Sequence, residues 1–435
     1  MPVADSVPEI GVGLLGVGTV GGGVAAALLR RGDYFARQVG APLVVRRAAV
    51  RDISKPRAVE LPPGILTVDV ASVLNDPSVD IVVEVIGGEE PAGTYIRQAL
   101  AAGKHIVTAN KELMAKSGPE LLAEAHARGL DIMFEASVGG GIPLIAPLRR
   151  DLLANDIRSI SAIINGTTNY ILTRMAQEGA SFADALAEAQ QLGYAESDPT
   201  NDVEGIDAAY KLAIMASLGF RARVAPSAVY TEGITKLEPR DFQYAAELGY
   251  AIKLVATAER TEDGILARVV PALVHQSQPL AKVDGVFNAV QIVGDLTGSV
   301  TFQGAGAGSG PTTSAVLADL LDLAHAVVRG DRDRRYWGPE GDVPVLPLGR
   351  LQTRYYVRIT VADRPGVLAQ IARVLGDHDV SIAAVTQKEA FADDQTAELV
   401  ITTHGARESA LQDALREITA LPVVTRLGAL LRIEG

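Results

Sequence analysis

Residues 16–21 read Gly16-Val17-Gly18-Thr19-Val20-Gly21, and this glycine-rich turn is the strongest indication of the fold of the first part of the chain. An apolar run at residues 10–15 precedes the turn, and an apolar helical pattern at residues 24–29 follows it. A strand, a Gly-x-Gly-x-x-Gly turn and a helix in this order form the fingerprint of a dinucleotide-binding site. The free N–H groups at the helix N-terminus would bind the pyrophosphate. The sequence therefore predicts a Rossmann-type domain with cofactor contacts at Gly16, Gly18, Thr19, Val20 and Gly21.

Arg51 bears on the choice between the two common nicotinamide dinucleotides. It is the first residue after the next predicted strand, 43–50, and Asp52 follows it. An acidic residue at this strand end would bind the ribose hydroxyls of NAD, whereas an arginine suits the 2′-phosphate of NADP. A solvated basic turn is the alternative interpretation. The sequence favours NADP, with Arg51 as a cofactor contact, and leaves NAD open because Asp52 is adjacent.

Strands and helices alternate up to about residue 146, as they do in an α/β domain. Strands are predicted at 79–86, 105–108 and 131–134, and helices at 91–102 and 119–128. This order predicts a doubly wound parallel sheet. The segment Thr108-Ala109-Asn110-Lys111 lies at the carboxyl end of a strand, where open α/β sheets place their ligands.

Further domains follow. From residue 147 to 310 a helix at 182–192 mixes with strand-like runs at 157–164, 266–274 and 286–293, which predicts an α+β domain for substrate binding and dimerisation. The helix expected at 311–338 returns to the first domain, residues 1–146. Residues 339–352 predict a linker because they are rich in Pro and Gly. Residues 353–435 follow the order βαββαβ of a ferredoxin-like domain.

Composition excludes several classes of function. The chain has 435 residues, no cysteine and a net charge of −12. Without cysteine there is no disulfide, no thiolate metal site and no aldehyde dehydrogenase that works through a thioester. The negative charge argues against nucleic acid and anionic membranes as partners, and no apolar run is long enough to span a bilayer. Residues 1–9 lack the basic segment of a signal peptide, so we expect a cytoplasmic protein.

Residues 193–211 bring several carboxylates and one lysine into an otherwise apolar region. Asp207 and Lys211 are spaced i,i+4 and therefore share one face of a helix. Ile214 and Leu218 continue that face, so Lys211 lies at the edge of an apolar stripe. Such a cluster can bind an ammonium group and hold a proton donor beside it. A surface Asp–Lys pair is the alternative interpretation.

These motifs closely resemble those of the homoserine dehydrogenases. The resemblance rests on four motifs, which occur in the order expected of that family. They are the fingerprint, Thr108-Ala109-Asn110-Lys111, Asn165-Gly166-Thr167-Thr168-Asn169, and the cluster of carboxylates with one lysine at residues 193–211, which includes Glu196. It implies reversible, NAD(P)H-dependent reduction of L-aspartate 4-semialdehyde to L-homoserine in threonine and methionine biosynthesis. By motif, the catalytic residues would be Lys111 and Lys211. The substrate would contact Glu196, Asp202, Asp207, Gly166 and Thr167, and the cofactor would also contact Lys111 and Gly308.

The chemistry of this reaction suits a lysine. Hydride transfer to an aldehyde carbon creates an alkoxide, so a nearby group must neutralise the charge and supply a proton. A lysine does both. For the reverse reaction we expect its pKa to be lowered by desolvation or by a neighbouring cation. Lys111 and Lys211 are expected to be neighbours across the cleft, with Glu196 placed to receive the substrate ammonium group.

The segment 135–143 reads Glu-Ala-Ser-Val-Gly-Gly-Gly-Ile-Pro. In the family that the chain resembles, this turn holds a monovalent cation through backbone carbonyls and one glutamate. The resemblance thus implies a Na⁺ or K⁺ site at Glu135, Val138, Gly140 and Ile142. A hinge between the first two domains is the alternative interpretation, and the two are compatible.

The tail resembles the ACT domain, a module that binds amino acids. The resemblance rests on Asp363-Arg364-Pro365-Gly366-Val367-Leu368 and the order βαββαβ. It implies feedback inhibition by threonine and a homodimer or homotetramer; a ferredoxin-like interaction domain without ligand is the alternative. For the whole chain, the alternatives are another NAD(P)-dependent amino-acid oxidoreductase, such as an aspartate dehydrogenase, or a non-catalytic amino-acid sensor.

Overall fold

The fold is described here from a computed structural model that covers residues 9–331, 336, 338–341, 343–391 and 395–434, the side chains of 389–391 excepted. Several sequence predictions fall partly outside this range. They are the absence of a signal peptide, the first residues of the domain 1–146, the end of the helix expected at 311–338, one residue of the linker, and residues 392–394 and 435 of the C-terminal domain.

The first sheet has six strands, all parallel, in the order β3-β2-β1-β4-β5-β6. The strands are β1 (Ile10–Leu15), β2 (Leu43–Ala49), β3 (Leu66–Thr67), β4 (Ile81–Glu84), β5 (His105–Thr108) and β6 (Ile132–Met133). The helices are α1 (Thr19–Val39), α2 (Val70–Leu74), α3 (Ala92–Ala101) and α4 (Lys111–Ala127). β1 and β4 are buried along their whole length because helices cover both faces of the sheet. The predicted doubly wound parallel sheet is confirmed.

The start of α4 differs from the sequence prediction. The helix begins at Lys111, and Pro119 lies inside it rather than at its start. The reason is Asn110, whose side-chain oxygen accepts a hydrogen bond from the Leu113 N–H at 3.1 Å and so caps the helix. Lys111 therefore lies in the first helical turn, at the carboxyl end of the parallel sheet.

The second domain is a layer of helices on a mostly antiparallel sheet. Its strands are β7 (Ile157–Ile163), β8 (Tyr230–Thr231), β9 (Tyr250–Arg260), β10 (Ile265–His275), β11 (Phe287–Gly294) and β12 (Gly298–Ala305). Its helices are α5 (Gly166–Glu178), α6 (Phe182–Gln191), α7 (Thr200–Val203), α8 (Ile206–Gly219) and α9 (Pro239–Glu247). The sequence analysis did not identify β8, β9, β12, α7 or α9.

Helix α10 (Ser309–Arg329) returns to the first domain and packs against α1. The two helices approach so closely that a Cβ on Gly23 would lie 2.3 Å from the Thr313 hydroxyl oxygen. The helix ends earlier than residue 338 because Gly330, in the left-handed conformation, caps it at Arg329.

The C-terminal tail has the predicted ferredoxin-like order. Its elements are β13 (Gln352–Ala362), α11 (Val367–Asp377), β14 (Ile382–Phe391), β15 (Thr396–Thr403), the short β16 (Ala406–Arg407), α12 (Glu408–Ala420) and β17 (Val424–Glu434).

The tail does not stand apart from the second domain, however. β17 pairs in parallel with β10, with Ala272 opposite Arg432, and joins both domains into one 11-stranded sheet. The predicted linker is also docked, since Gly341 and Val345 form β-bridges with Ala222 and Ile265. The tail is therefore in direct contact with the second domain, both through β17 and through the segment predicted as a linker.

Candidate functional site

The candidate site lies where α4 of the first domain meets α8 of the second. Lys111 begins α4, and Asp207 and Lys211 lie one turn apart on α8. The left-handed Gly205 marks the start of α8 and lets the chain turn sharply out of α7. Residues distant in the sequence thereby converge at the cleft between the two domains.

Asp207 joins the two lysines. Its carboxylate is 4% exposed as a residue, and its Oδ2 accepts a hydrogen bond from Lys211 Nζ at 2.6 Å. Its Oδ1 forms an ion pair with Lys111 Nζ. Lys211 Nζ also donates to the carbonyl oxygen of Ile164 at 2.9 Å, so two acceptors fix the position of this ammonium group. The Lys211 side chain is only 12% exposed. The Lys111 side chain is 46% exposed and faces the cleft.

The charges of the site shift the pKa values of Asp207 and Lys111. Burial acts to raise the pKa of Asp207, but the ammonium groups of Lys211 and Lys111 outweigh it and hold that pKa well below its usual range. For Lys111, burial acts to lower the pKa, but the carboxylates of Asp207, Asp202 and Glu196 outweigh it, and the net pKa is raised. The pKa of Lys111 thus moves opposite to the lowering expected for the lysine that transfers the proton, because three carboxylates act on the Lys111 ammonium group.

Asn165 organises the carboxylates and was missed as a site residue by the sequence analysis. Its Nδ2 donates to Asp202 Oδ1 at 2.6 Å and to Asp207 Oδ2 at 2.9 Å. Its Oδ1 accepts from the Thr168 N–H at 2.8 Å and caps α5. An Asn directly before a helical pattern was a usable cap signal, but its carboxylate partners are visible only in the fold.

The remaining predicted substrate residues flank this core. Glu196 is exposed in the segment before α7, and among the described residues no group donates a hydrogen bond to its carboxylate. Thr167 donates its hydroxyl to the carbonyl oxygen of Tyr194 at 2.7 Å, which ties α5 to that segment. Gly166 packs against Val286, whose carbonyl oxygen would lie 3.0 Å from a Cβ.

The predicted cofactor turn has the geometry of the fingerprint. Gly16 takes a φ of 101°, and a Cβ on Gly21 would lie 2.1 Å from the Gly16 carbonyl oxygen. No described atom lies within 4 Å of a Cβ placed on Gly18, so a ligand can approach the backbone there. Thr19 and Val20 form the first turn of α1, where Ser309, next to Gly308, donates to the Thr19 carbonyl oxygen at 3.3 Å. Gly308 therefore lies beside the fingerprint turn.

Arg51 lies just past the end of β2 and is exposed. Asp52 Oδ1 is already engaged, since it accepts from the Ser54 N–H at 2.8 Å and from the Ser54 hydroxyl at 2.6 Å. The Arg51 guanidinium forms no ion pair within the described part of the chain and is free to meet an anion.

The Glu135 turn joins the two domains at a buried acidic pair. Glu135 accepts backbone hydrogen bonds from Leu144, Ile145 and Ala146, at 2.6, 2.9 and 2.7 Å. Its own N–H donates to Asp319 Oδ2 at 2.7 Å. Burial raises the pKa of Asp319 to about 8; the Glu135 N–H acts against this rise, and the Glu135 charge adds to it.

The three carbonyl oxygens predicted as cation ligands are those of Val138, Gly140 and Ile142. These residues are buried, and among residues 9–331 no backbone or side-chain group donates a hydrogen bond to these oxygens. Uncompensated carbonyl oxygens in a tight turn are suitable ligands for a hard cation. Glu135 fits less directly, because both of its carboxylate oxygens already accept N–H bonds.

The described residues contain no group of three His, Asp or Glu side chains arranged to hold a metal ion. None of their helices combines the length and apolarity that a membrane span requires.

Family models match most of the chain. The homoserine dehydrogenase model matches residues 143–321, the homoserine dehydrogenase NAD-binding-domain model matches residues 16–135, and the ACT domain model matches residues 355–423. The three matched segments contain Lys211, Lys111 and the Asp363 turn respectively.

Relatives are similar over the full length. Homoserine dehydrogenase from Synechocystis sp. is 44% identical and covers 97% of this chain and 99% of its own. The Mycobacterium tuberculosis enzyme is 45% identical, with 98% of each chain covered. The crystal structure of a homoserine dehydrogenase from Thiobacillus denitrificans is 46% identical, with a TM-score of 0.93 over 99% of each chain. A hyperthermophilic archaeal homoserine dehydrogenase in complex with NADPH is 28% identical, with a TM-score of 0.62 over 72% of this chain and 97% of that one. The chain belongs to the homoserine dehydrogenase family, whose members are NAD(P)-dependent oxidoreductases that act on a CH–OH group.

Proposed function

We propose that this chain interconverts L-aspartate 4-semialdehyde and L-homoserine with Lys211 as the proton donor and Lys111 as its support. The observation that carries the proposal is Asp207, one buried carboxylate that engages both ammonium groups. A surface Asp–Lys pair does not explain this arrangement, because Asp207 is buried and Lys211 is nearly so.

In the proposed reaction, the lysines act on the substrate aldehyde oxygen and the carboxylates act on the substrate ammonium group and on the lysines. The nicotinamide cofactor, when bound, supplies the hydride. As the aldehyde oxygen gains negative charge, Lys211 and Lys111 stabilise it, and Lys211 Nζ gives it a proton. Glu196 receives the substrate ammonium group; its carboxylate and that of Asp202 both act on the ammonium group of Lys111 and raise its pKa. Asn165 and Asp207 keep the lysines and Asp202 in register.

The proposed cofactor is NADPH, with NADH as a weaker alternative. The free guanidinium of Arg51 supports this choice, and so does the engagement of Asp52 Oδ1 by Ser54. The archaeal relative in complex with NADPH points the same way. Gly16, Gly18, Thr19, Val20 and Gly21 would hold the pyrophosphate, with Gly308 beside them and Lys111 near the nicotinamide.

A monovalent cation, Na⁺ or K⁺, is proposed at the Glu135 turn. The free carbonyl oxygens of Val138, Gly140 and Ile142 support it. There the ion would stiffen the turn that links the two domains. Glu135 would contribute mainly by its charge, because its oxygens already hold the backbone of residues 144–146.

The tail is proposed to bind threonine as a feedback effector, with the enzyme working in the cytoplasm as a homodimer or homotetramer. The match to the ACT domain model supports a small-molecule effector.

A turnover assay of the purified chain with NADPH and aspartate semialdehyde tests the proposal. Lys211→Met should lower kcat on the order of 10²-fold or more, while the KM for NADPH stays nearly unchanged. Lys282→Met is the matched control, because this lysine is exposed in the second domain and forms no ion pair with any described residue. If wild-type turnover is absent, or if Lys211→Met retains activity within a few-fold, the proposal is wrong.

A further inference from the structure

Residues 230–235 form a strap that runs from the tail to the substrate-binding turn. The strap begins as β8, which pairs with β10 at residues 268 and 269. β17 of the tail pairs with β10 a few residues further along, at residues 272–274. The Glu232 N–H then donates to the Val269 carbonyl oxygen at 2.8 Å, which anchors the strap to β10. The strap is thus placed to connect two sites that the sequence treats separately.

At the tail end, the strap is held by Arg432 of β17. This arginine is 0% exposed, and its guanidinium donates to two carboxylates from different domains. Glu408 of α12 accepts at 2.6 and 3.2 Å, and Glu232 of the strap accepts from Nη1. Loss of a carboxylate partner from a buried guanidinium is destabilising, so the Arg432–Glu232 pair favours the observed position of the strap.

At the other end, the strap packs against the last turn of α7. The Ile234 N–H donates to the Val203 carbonyl oxygen at 2.9 Å. Gly233 lies so close that a Cβ would fall 2.5 Å from Glu204 Oε2 and 2.6 Å from the Val203 carbonyl oxygen. We therefore expect a shift of the strap to move this turn, because the two backbone segments are in close van der Waals contact.

The turn that the strap holds is the one that carries Asp202. Asp202 lies immediately before Val203, and its carboxylate accepts the Asn165 amide that also binds Asp207. The path from Arg432 to the substrate cluster thus runs through a hydrogen-bonded strap and one short helix.

We propose that Glu232 and Arg432 are positioning residues for substrate binding. They touch neither substrate nor cofactor. They hold the strap so that α7 keeps the Asp202 carboxylate within hydrogen-bond distance of the Asn165 amide. The inference rests on the proposed function, since its readout is the KM for the proposed substrate. It makes the tail a structural part of the substrate site.

The test is steady-state kinetics of the full-length Glu232→Gln variant. The amide keeps the shape of the side chain but removes the charge that pairs with Arg432. We expect the KM for aspartate semialdehyde to rise about tenfold, with kcat and the KM for NADPH within about twofold of wild type. Glu259→Gln is the matched control, because Glu259 pairs with Arg268, another buried arginine of the junction between the tail and the second domain, and lies on β9 rather than on the strap. It should leave both KM values unchanged.

A double-mutant cycle with Asp202→Asn separates positioning from general loosening. If Glu232 acts through Asp202, adding Glu232→Gln to Asp202→Asn raises the KM little further. Gly233→Ala, which pushes the turn from the strap side with Arg432 intact, should give the same KM signature. An unchanged KM in active Glu232→Gln, or fully additive effects in the cycle, refutes the inference alone. A wild-type chain that does not turn over the semialdehyde refutes the proposed function, and this inference with it.

Discussion

Asp207 shows how a single residue sets the electrostatics of the site. A buried carboxylate between two ammonium groups stays charged, and it fixes where both lysines point. The sequence predicted the Asp207–Lys211 pair from its helical spacing. It could not give the distance from Asp207 to Lys111, because that contact depends on how two domains close.

Asp319 gives a pH prediction at the residue scale. Its pKa is raised to about 8 by burial in the folded chain, against about 3.9 in an unfolded one. Between these values the folded chain holds a proton that the unfolded chain releases, so stability falls as pH rises from about 4 to about 8 and then levels off. Asp319→Asn keeps an acceptor for the Glu135 N–H but cannot titrate.

Urea unfolding of both proteins between pH 5 and pH 7 measures this effect. The unfolding free energy of the wild type relative to Asp319→Asn should fall by up to about 1.4 kcal/mol per pH unit. Asp33→Asn, which removes an exposed carboxylate from the neighbouring helix α1, is the matched control. Parallel pH curves for wild type and Asp319→Asn would show that the carboxyl of Asp319 ionises normally.

At the scale of single elements, Asn165 has two roles that a substitution can separate: it caps α5 and it binds the carboxylates of the site. Asn165→Ala removes the cap bond and both amide bonds to Asp202 and Asp207. Loss of the cap should cost about 1 kcal/mol of unfolding free energy. Loss of the amide should lower kcat/KM on the order of tenfold or more, because small misplacements of catalytic groups are costly.

Asp69→Ala is the control for the cap alone. Asp69 caps α2 by accepting the Ala71 N–H at 2.9 Å, and it lies outside the site. It should lose comparable stability in urea unfolding with no change in kcat/KM. If Asn165→Ala behaves like Asp69→Ala in both measurements, Asn165 is only a helix cap.

Local sequence patterns predicted some elements well and others poorly, for physical reasons. β1, with its glycine turn, carries a local signal that the structure confirms. β9 was missed because its residues 252–258 are buried on both faces, so the strand lacks the alternation that marks a half-buried one. α4 was started too late because Pro119 favours a helix start by itself, whereas the cap at Asn110 decides the boundary.

The whole molecule is held together by an interface that no local pattern reveals. β17 joins β10 although the two strands are far apart in the sequence. Arg358 of β13 donates to the fully buried Asp241 of α9 at 2.6 Å, and Tyr244 donates to Glu398 of β15 at 2.8 Å. Deleting the tail would therefore leave a buried carboxylate without its partner and uncover β10. Such a deletion cannot separate loss of regulation from loss of structure.

The proposed response to threonine is better tested by one substitution in the intact chain. Asp363 lies in the turn before α11, and its Oδ1 accepts a hydrogen bond from Gln387 at 3.3 Å, on the exposed side of the tail. If this turn binds threonine, Asp363→Ala should raise the threonine concentration for half-inhibition about tenfold. Turnover without threonine should not change, because Asp363 is outside the junction with β10. The measurement is turnover against threonine concentration in both proteins.

Arg416→Ala provides the matched control for Asp363→Ala. Arg416 is exposed on α12, and within the described residues its one ion pair is with Asp413, so its loss should leave inhibition as in the wild type. An effector shifts the enzyme only if it binds one conformation better than another, so weaker binding at the turn must appear as weaker inhibition. Equal inhibition of wild type and Asp363→Ala would place threonine elsewhere, for example at the active site. If threonine leaves the wild type fully active, the tail answers to a different amino acid or has a structural role alone.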